Sequence, residues 1–384
     1  MTMIYRPIGA TGKSASIIGL GCEHLDGKPY AQVEETVHAA LDGGVNILDV
    51  FMPGKEVREN IARALGSRRG EVMIQGHIGS TDVKQQYDIS RDMSTVLKYF
   101  EDMLRIFGHV EFGMMFFIDS ETDYKNVFET WFATYVQRLK KQGDISHIGF
   151  SSHNPLTAMK AIETGLPEML LFSINPAFDM LPPEKNVFDG LDNGTFGAEN
   201  FRGLDPKRAE LYKLCSRKQI GITVMKTLGA GKLLSPEHTP FGTALTAAQC
   251  IHYALSRPAV ASAMVGCKSA GEVRSALSYL DASDSERDYA EIINTSRNDF
   301  RGSCVYCGHC QPCPAEIDIA AVNKYLDIAR LDVKNIPPSI FSHYKSLEHG
   351  GGECFACGSC ESRCPFGVEI IKNMAKAERL LGVF

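Results

Sequence analysis

Residues 30–49 read Tyr-Ala-Gln-Val-Glu-Glu-Thr-Val-His-Ala-Ala-Leu-Asp-Gly-Gly-Val-Asn-Ile-Leu-Asp. The apolar positions of the first half recur at helical spacing up to Leu41, the Gly43-Gly44 pair ends that period, and Val45–Asp49 is a short apolar run of strand type. This is one helix-to-strand step of a repeated βα pattern, and the same alternation continues from residue 16 to about 297. Strands are predicted at Ser16–Leu20, Val45–Asp49, Val72–Gln75, Glu111–Phe117, His147–Phe150, Met169–Ile174, Ile220–Met225 and Ala261–Val265. Helices are predicted at Tyr30–Leu41, Val57–Leu65, Ser90–Phe107, Tyr124–Gln142, Pro155–Thr164, Pro206–Arg217, Thr246–Ser256 and Ala270–Leu280. Eight such pairs imply an α/β fold, a (β/α)8 TIM barrel, with Met1–Lys13 as an N-terminal hairpin and Asp284–Ser296 as an extra helix. A doubly wound sheet is disfavoured because no G-x-G-x-x-G follows the first strand.

The last eighty or so residues carry different chemistry. Cys304, Cys307, Cys310 and Cys313 precede Pro314, and Cys354, Cys357, Cys360 and Cys364 precede Pro365. The second run has the bacterial ferredoxin spacing C-x2-C-x2-C-x3-C-P, and the first is that motif shortened by one residue in its last gap. In two-cluster ferredoxins the fourth cysteine of each run ligates the other cluster. That rule groups Cys304, Cys307 and Cys310 with Cys364, and Cys354, Cys357 and Cys360 with Cys313. Zinc ribbons also use CxxC pairs but do not call for a fourth cysteine before proline. Disulfides require an oxidising compartment, and the opening Met-Thr-Met-Ile-Tyr-Arg has no apolar signal core, so a cytoplasmic location is expected. The expected domains are therefore 1–297, the barrel, and 298–384, a small α-helical, ferredoxin-like domain with two 4Fe-4S clusters.

The chain has 384 residues, 44% of them hydrophobic, and a net charge of −6. The charge gives no electrostatic case for nucleic acid, and no apolar run reaches the length of a membrane span. Cys22, Cys215, Cys250 and Cys267 lie apart from the two runs and read as small buried hydrophobes. In such barrels active sites lie at the C-terminal ends of the strands. There the chain places Cys22, Glu23, His24, Asp49, His77, Asp119, Ser151, Ser152, His153, Asn175, Asp179, Lys226, Lys268 and Ser269. The segment Met180–Asp205 reads either as a lid over the barrel mouth or as a surface insertion.

Five stretches carry a resemblance: Tyr5-Arg-Pro-Ile-Gly-Ala-Thr-Gly-Lys13, Ile18-Gly-Leu-Gly21, Gly43-Gly-Val-Asn-Ile-Leu-Asp49, Ile148-Gly-Phe-Ser151 and Val224-Met-Lys-Thr-Leu-Gly-Ala-Gly-Lys-Leu233. Together they resemble the aldo/keto reductases, and the tail resembles the branch of that family with a C-terminal ferredoxin-like domain carrying two 4Fe-4S clusters. The resemblance implies NADPH-dependent carbonyl reduction on a (β/α)8 barrel, by an aspartate, a tyrosine acid, a lysine and a histidine. Only the aspartate is met, at Asp49. Val50-Phe-Met-Pro-Gly54 offers no phenol, His77 stands where the lysine should be, and Phe116 or Phe117 stands where the histidine should be. Acid–base help of the tyrosine's kind is worth about 10²–10⁴ in rate, so ordinary carbonyl reduction is not expected.

Proton handling falls instead to Asp49, His77, Glu23 and His153. The resemblance assigns the nucleotide to Ser151, Lys226, Gly229, Gly231, Lys268 and Ser269, with Ser152 and Ser173 replacing an asparagine and a glutamine. NADP(H) is the first ligand to consider there and a flavin the second. The expected activity is electron transfer between two 4Fe-4S clusters and a small-molecule substrate or cofactor at the barrel mouth, with a redox partner protein and neither nucleic acid nor membrane. The competing reading is a barrel that has lost catalysis and serves as an electron-transfer or interaction module.

Overall fold

A computed structural model describes residues 2–83, 86–185, 187, 203–294 and 302–382. The described residues form two compact units. The first draws on Met1–Ile174, Ile220–Thr227 and Val260–Asp281, and the second on Asn175–Gln219, Leu228–Ala259 and Ala282–Phe384.

The first unit opens with an antiparallel pair, β1 (Tyr5–Pro7) and β2 (Ser14–Ser16), so the expected hairpin runs three residues past Lys13. Eight strands then close into a parallel barrel: β3 (Ile18–Gly21), β4 (Ile47–Val50), β5 (Met73–Ile78), β8 (Val110–Met115), β9 (Ile145–Ser152), β10 (Met169–Ser173), β11 (Gly221–Met225) and β12 (Val260–Gly266). All eight predicted strands are present, with ends shifted by up to three residues. The remaining two, β6 (Ser80–Val83) and β7 (Gln86–Ile89), form a separate hairpin that follows β5 and has no counterpart in the sequence reading. Ile8 and Ala15 of the opening hairpin join Ile47, Phe112, Met114, Met169, Leu171 and Met264 in one apolar cluster. Burial of this surface is the main favourable term holding the barrel.

Helices α1 (Tyr30–Asp42), α2 (Lys55–Leu65), α3 (Met93–Phe107), α4 (Glu121–Phe128), α5 (Trp131–Gln142) and α6 (Pro155–Glu163) follow in this unit. The predicted Tyr124–Gln142 helix is two helices, because Thr130 caps a new start with its hydroxyl accepting the Phe132 N–H. Ser120 and Asp123 form a reciprocal capping box at the start of α4. Strand β5 is approached closely by α3: a Cβ on Gly76 would stand 2.3 Å from the Met103 sulfur, so glycine is needed just before His77.

The second unit holds α7 (Pro206–Lys218) and α8 (Ala247–Ser256), while α9 (Ala270–Leu277) returns to the first. The expected Asp284–Ser296 helix is instead two short pieces, α10 (Asp284–Arg287) and α11 (Ala290–Ile293), interrupted at Asp288 and Tyr289. The C-terminal run adds α12 (Ile319–Arg330), α13 (Pro338–Lys345), α14 (Ser359–Arg363) and α15 (Ile370–Leu381). The expected domain boundary at 297 and most of the possible lid, residues 186 and 188–202, lie outside the described residues. No helix among the described residues is long and apolar enough to cross a membrane.

Candidate functional site

Parallel register sets Asp49 of β4 beside Gln75 of β5, two residues before His77. Asp49 Oδ1 accepts a hydrogen bond from Gln75 Nε2 at 2.9 Å and pairs with His77 Nε2 at 2.9 Å. All three are buried, and His77 Nδ1 has no hydrogen-bond partner. A buried imidazole with one nitrogen tied to a carboxylate and the other open is ready to exchange a proton with a bound molecule.

A second carboxylate–imidazole pair follows β8 and β9. Asp119 Oδ2 lies 2.8 Å from His153 Nδ1, while Oδ1 accepts the His153 N–H at 2.6 Å and the Ser152 hydroxyl at 3.1 Å. Burial works to raise the Asp119 pKa, but the His153 charge and these hydrogen bonds outweigh it and hold the carboxyl below its ordinary value. Ser151 Oγ accepts the Phe117 N–H at 2.9 Å, and Phe117 adopts a left-handed backbone with φ of 57°. Lys226, just past β11, is left-handed too, at φ 60°, and its ammonium lies 3.8 Å from Glu23 Oε2. Non-glycine residues held in that region gather at functional sites.

The four proton-handling candidates therefore occupy three places: Asp49 with His77, His153 with Asp119, and Glu23 with Lys226. Cys22 is buried beside them. Burial, Asp49 and Cys267 push its thiol well up, so it is not a ready nucleophile.

One aromatic group was not foreseen. The β6–β7 hairpin carries Tyr87, whose ring centre is 5.2 Å from that of Phe51 and 6.3 Å from that of Phe116. Both phenylalanines in turn contact the His77 ring, at 6.0 and 5.2 Å. Burial and then the Glu23 charge hold the Tyr87 phenol above its ordinary pKa, which keeps it protonated. Tyr87 thus packs, from the β6–β7 hairpin, against Phe51 of the Val50–Gly54 stretch that itself offers no phenol. The signal available in sequence was the length of chain between strand three and helix three.

The nucleotide candidates divide. Lys268 and Ser269 sit at the start of α9, where Glu272 already engages them. Its carboxylate accepts the Lys268 N–H at 2.9 Å and lies 3.5 Å from the Lys268 ammonium, and Ser269 Oγ accepts the Glu272 N–H at 3.3 Å. Gly229 and Gly231 belong to the second unit and, with Ala230, form three successive left-handed residues at φ 57°, 54° and 84°. Only glycine adopts that conformation freely, and a Cβ on Gly231 would meet nothing within 4 Å.

The family follows from these features together with one match. Residues 17–244 fit the model of the aldo/keto reductase family. The chain belongs to that family. It is an oxidoreductase of aldo/keto reductase type. Among solved structures, the holo form of aldo-keto reductase AKR11C1 from Bacillus halodurans is similar with a TM-score of 0.58 at 17% identity, over 76% of this chain and 95% of that one. PA4992 from Pseudomonas aeruginosa is similar with a TM-score of 0.53 at 19% identity, over 72% and 96%. At such identities the likeness shows the fold alone. No curated protein matches the chain.

In the C-terminal part of this reductase, the eight cysteines of the two runs border two hollows. One is lined by Cys304, Cys307, Cys310 and Cys364 with Val305, Tyr306 and other residues. The other is lined by Cys313, Cys354, Cys357 and Cys360 with Phe355, Met374 and other residues. Among the described residues, no three His, Cys, Asp or Glu side chains form a group able to hold a metal ion. Burial raises the Cys304 thiol well above its ordinary value and takes Cys307 to about 11 and Cys310 to about 12. Cys357 is exposed and lowered, chiefly by its hydrogen bond with the Ser359 hydroxyl. Cys22, Cys215, Cys250 and Cys267 are all buried, in keeping with the sequence reading.

Proposed function

We propose that this aldo/keto reductase works with two 4Fe-4S clusters, one on Cys304, Cys307, Cys310 and Cys364 and the other on Cys354, Cys357, Cys360 and Cys313. The observation that carries the reading is the division of eight cysteines into two hollows of four, each fourth cysteine lining the hollow of the opposite run. This is the crossed grouping of two-cluster ferredoxins. A single zinc ion would draw its ligands to about 2.3 Å from one point. Four thiols set around a mostly apolar hollow suit a larger, many-atom group, and thiolates are the donors such a group takes. When bound, the clusters supply one-electron transfer.

The chain's own residues then account for the rest. Asp49 fixes the His77 ring and its tautomer through Nε2, leaving Nδ1 to hold or release a proton at a bound substrate. Glu23 and His153 serve as further proton carriers. Lys226, Lys268 and Ser269 meet anionic groups of a nucleotide, and Ser151 orients its reactive ring. NADP(H) is the first ligand of that site and a flavin the second. The lysine of the family's catalytic set is replaced by His77, so the substrate is a small molecule reduced without the usual tyrosine–lysine pair. Electrons arrive from a redox partner protein.

The test is anaerobic purification followed by iron and acid-labile sulfide analysis. About eight of each per chain is the expected result. Protein with neither, after reconstitution with iron and sulfide as well, sinks the reading.

A further inference from the structure

In the second unit two arginines share one buried carboxylate. Asp179 is fully buried and accepts hydroxyl protons from Tyr212 and, at 2.8 Å, from Tyr253, with Arg208 Nη1 3.7 Å away. Arg257 is equally buried, at 1% exposure, but its hydrogen bonds go to neutral oxygens. They are the Val305 carbonyl, the Tyr289 hydroxyl at 3.1 Å, Ser256 Oγ at 3.0 Å and the Tyr253 carbonyl at 3.3 Å. Its guanidinium also stands 4.3 Å from the Tyr253 ring centre and 5.1 Å from that of Tyr306. Among the described residues Nη1 has no hydrogen-bond partner.

An arginine stays charged under all ordinary conditions, and a buried charge is costly unless an opposite charge answers it. Asp179 acts on both arginines, yet among the described residues no carboxylate accepts a hydrogen bond from Arg257. Its surroundings say where the answering charge belongs. Val305 and Tyr306 lie between Cys304 and Cys307, and both line the hollow that those cysteines border with Cys310 and Cys364. Tyr289 reinforces the link, donating its hydroxyl to the Val305 carbonyl at 2.8 Å.

We propose that Arg257 is the fixed counter-charge of the iron–sulfur group on Cys304, Cys307, Cys310 and Cys364, and that it raises the reduction potential of that group above the value its ligands alone would set. This rests on the iron–sulfur reading. Four thiolates around such a group leave it anionic, and reduction adds one more negative charge. A buried cation favours the more negative state, and low local dielectric makes the effect strong. Arg257 is here a positioning and tuning residue, away from the reacting substrate.

The experiment is a reductive titration of anaerobic protein with dithionite, followed by electron paramagnetic resonance, after iron and sulfide have been measured. Arg257→Met should lower one of the two potentials by at least tenfold in the one-electron equilibrium, about 59 mV, and leave the other unchanged. Arg257→Lys keeps the charge and should stay within threefold of the parent protein. Asp179→Asn removes the competing anion and should move the same potential upward. Unchanged potentials in Arg257→Met, or equal shifts in the Met and Lys variants, overturn the proposal. If Arg257→Met fails to keep its iron, Asp179→Asn decides, and no upward shift there overturns the proposal. Parent protein without iron and sulfide would instead refute the iron–sulfur reading itself, before any potential is read.

Discussion

His77 Nε2 lies 2.9 Å from Asp49 Oδ1, joining the ends of neighbouring strands across 28 residues of sequence. At this end of the barrel the contact holds a buried imidazole against a buried carboxylate.

His77→Gln keeps a polar group of similar reach but cannot carry a proton near neutral pH. It should lower turnover by about 10²-fold or more while leaving the melting temperature and the visible spectrum close to those of the parent. Steady-state rates on a panel of carbonyl substrates, with reduced viologen or NADPH as donor, are the measurement. Equal rates would remove His77 from the chemistry.

Tyr87 offers the only phenol seen beside Phe51 and Phe116 among the described contacts. Tyr87→Phe preserves the ring packing and removes the proton, so at least a tenfold fall in kcat with little change in KM is expected. A change confined to KM would make Tyr87 part of the pocket wall only.

The Glu272 carboxylate engages Lys268 at the start of α9, the place that the proposed nucleotide site gives to a phosphate. Glu272→Gln should therefore tighten NADP(H) binding by roughly tenfold, the size of a helix-terminus charge effect at a partly buried position. Fluorescence titration reads this directly. Weaker binding in the variant would place Glu272 among the ligands of the nucleotide.

The crossed cysteine grouping separates two otherwise similar variants. Cys364→Ala should disturb the group on Cys304, Cys307 and Cys310, and Cys313→Ala the group on Cys354, Cys357 and Cys360, each leaving about half the iron. Matching each variant's remaining resonance to that of Cys307→Ala or Cys357→Ala tells the two apart. Loss of the signal belonging to the cysteine's own run would mean that the groups are not crossed.

Asp119 supplies a pH-dependent term in stability. Its folded pKa is depressed, so its contribution is present above the unfolded value of about 3.9 and is lost as pH falls through the folded pKa. Asp119→Asn should be less stable than the parent at pH 7, and the difference should shrink below pH 4. Urea midpoints across that range provide the check, and a gap that persists in acid would assign the effect to hydrogen bonding alone.

Local pattern was enough for the barrel strands. Each is a short apolar run between helical stretches, and the physics of burying such a run on both faces leaves few alternatives. Where pattern misled, a cap or an insertion was responsible. Thr130 restarts a helix that looked continuous, and the β6–β7 hairpin interposes two strands with no strong apolar signal. The Asp49 and His77 positions were also legible, because both sit near strand ends and strand ends can be counted.

The sequence by itself determined the eight strands and the two cysteine runs, since both are matters of local spacing and identity. The crossed grouping of Cys313 and Cys364 was legible from the spacing rule and agrees with the two hollows, whereas tertiary structure alone decided that Tyr87 comes to Phe51 and Phe116. It also decided that Glu272 answers Lys268, and that Arg257 is buried against Val305 with its hydrogen bonds on neutral oxygens. Each of those relationships joins side chains that no periodicity links, and only closure of the chain in space sets which charges and thiols share a low-dielectric interior.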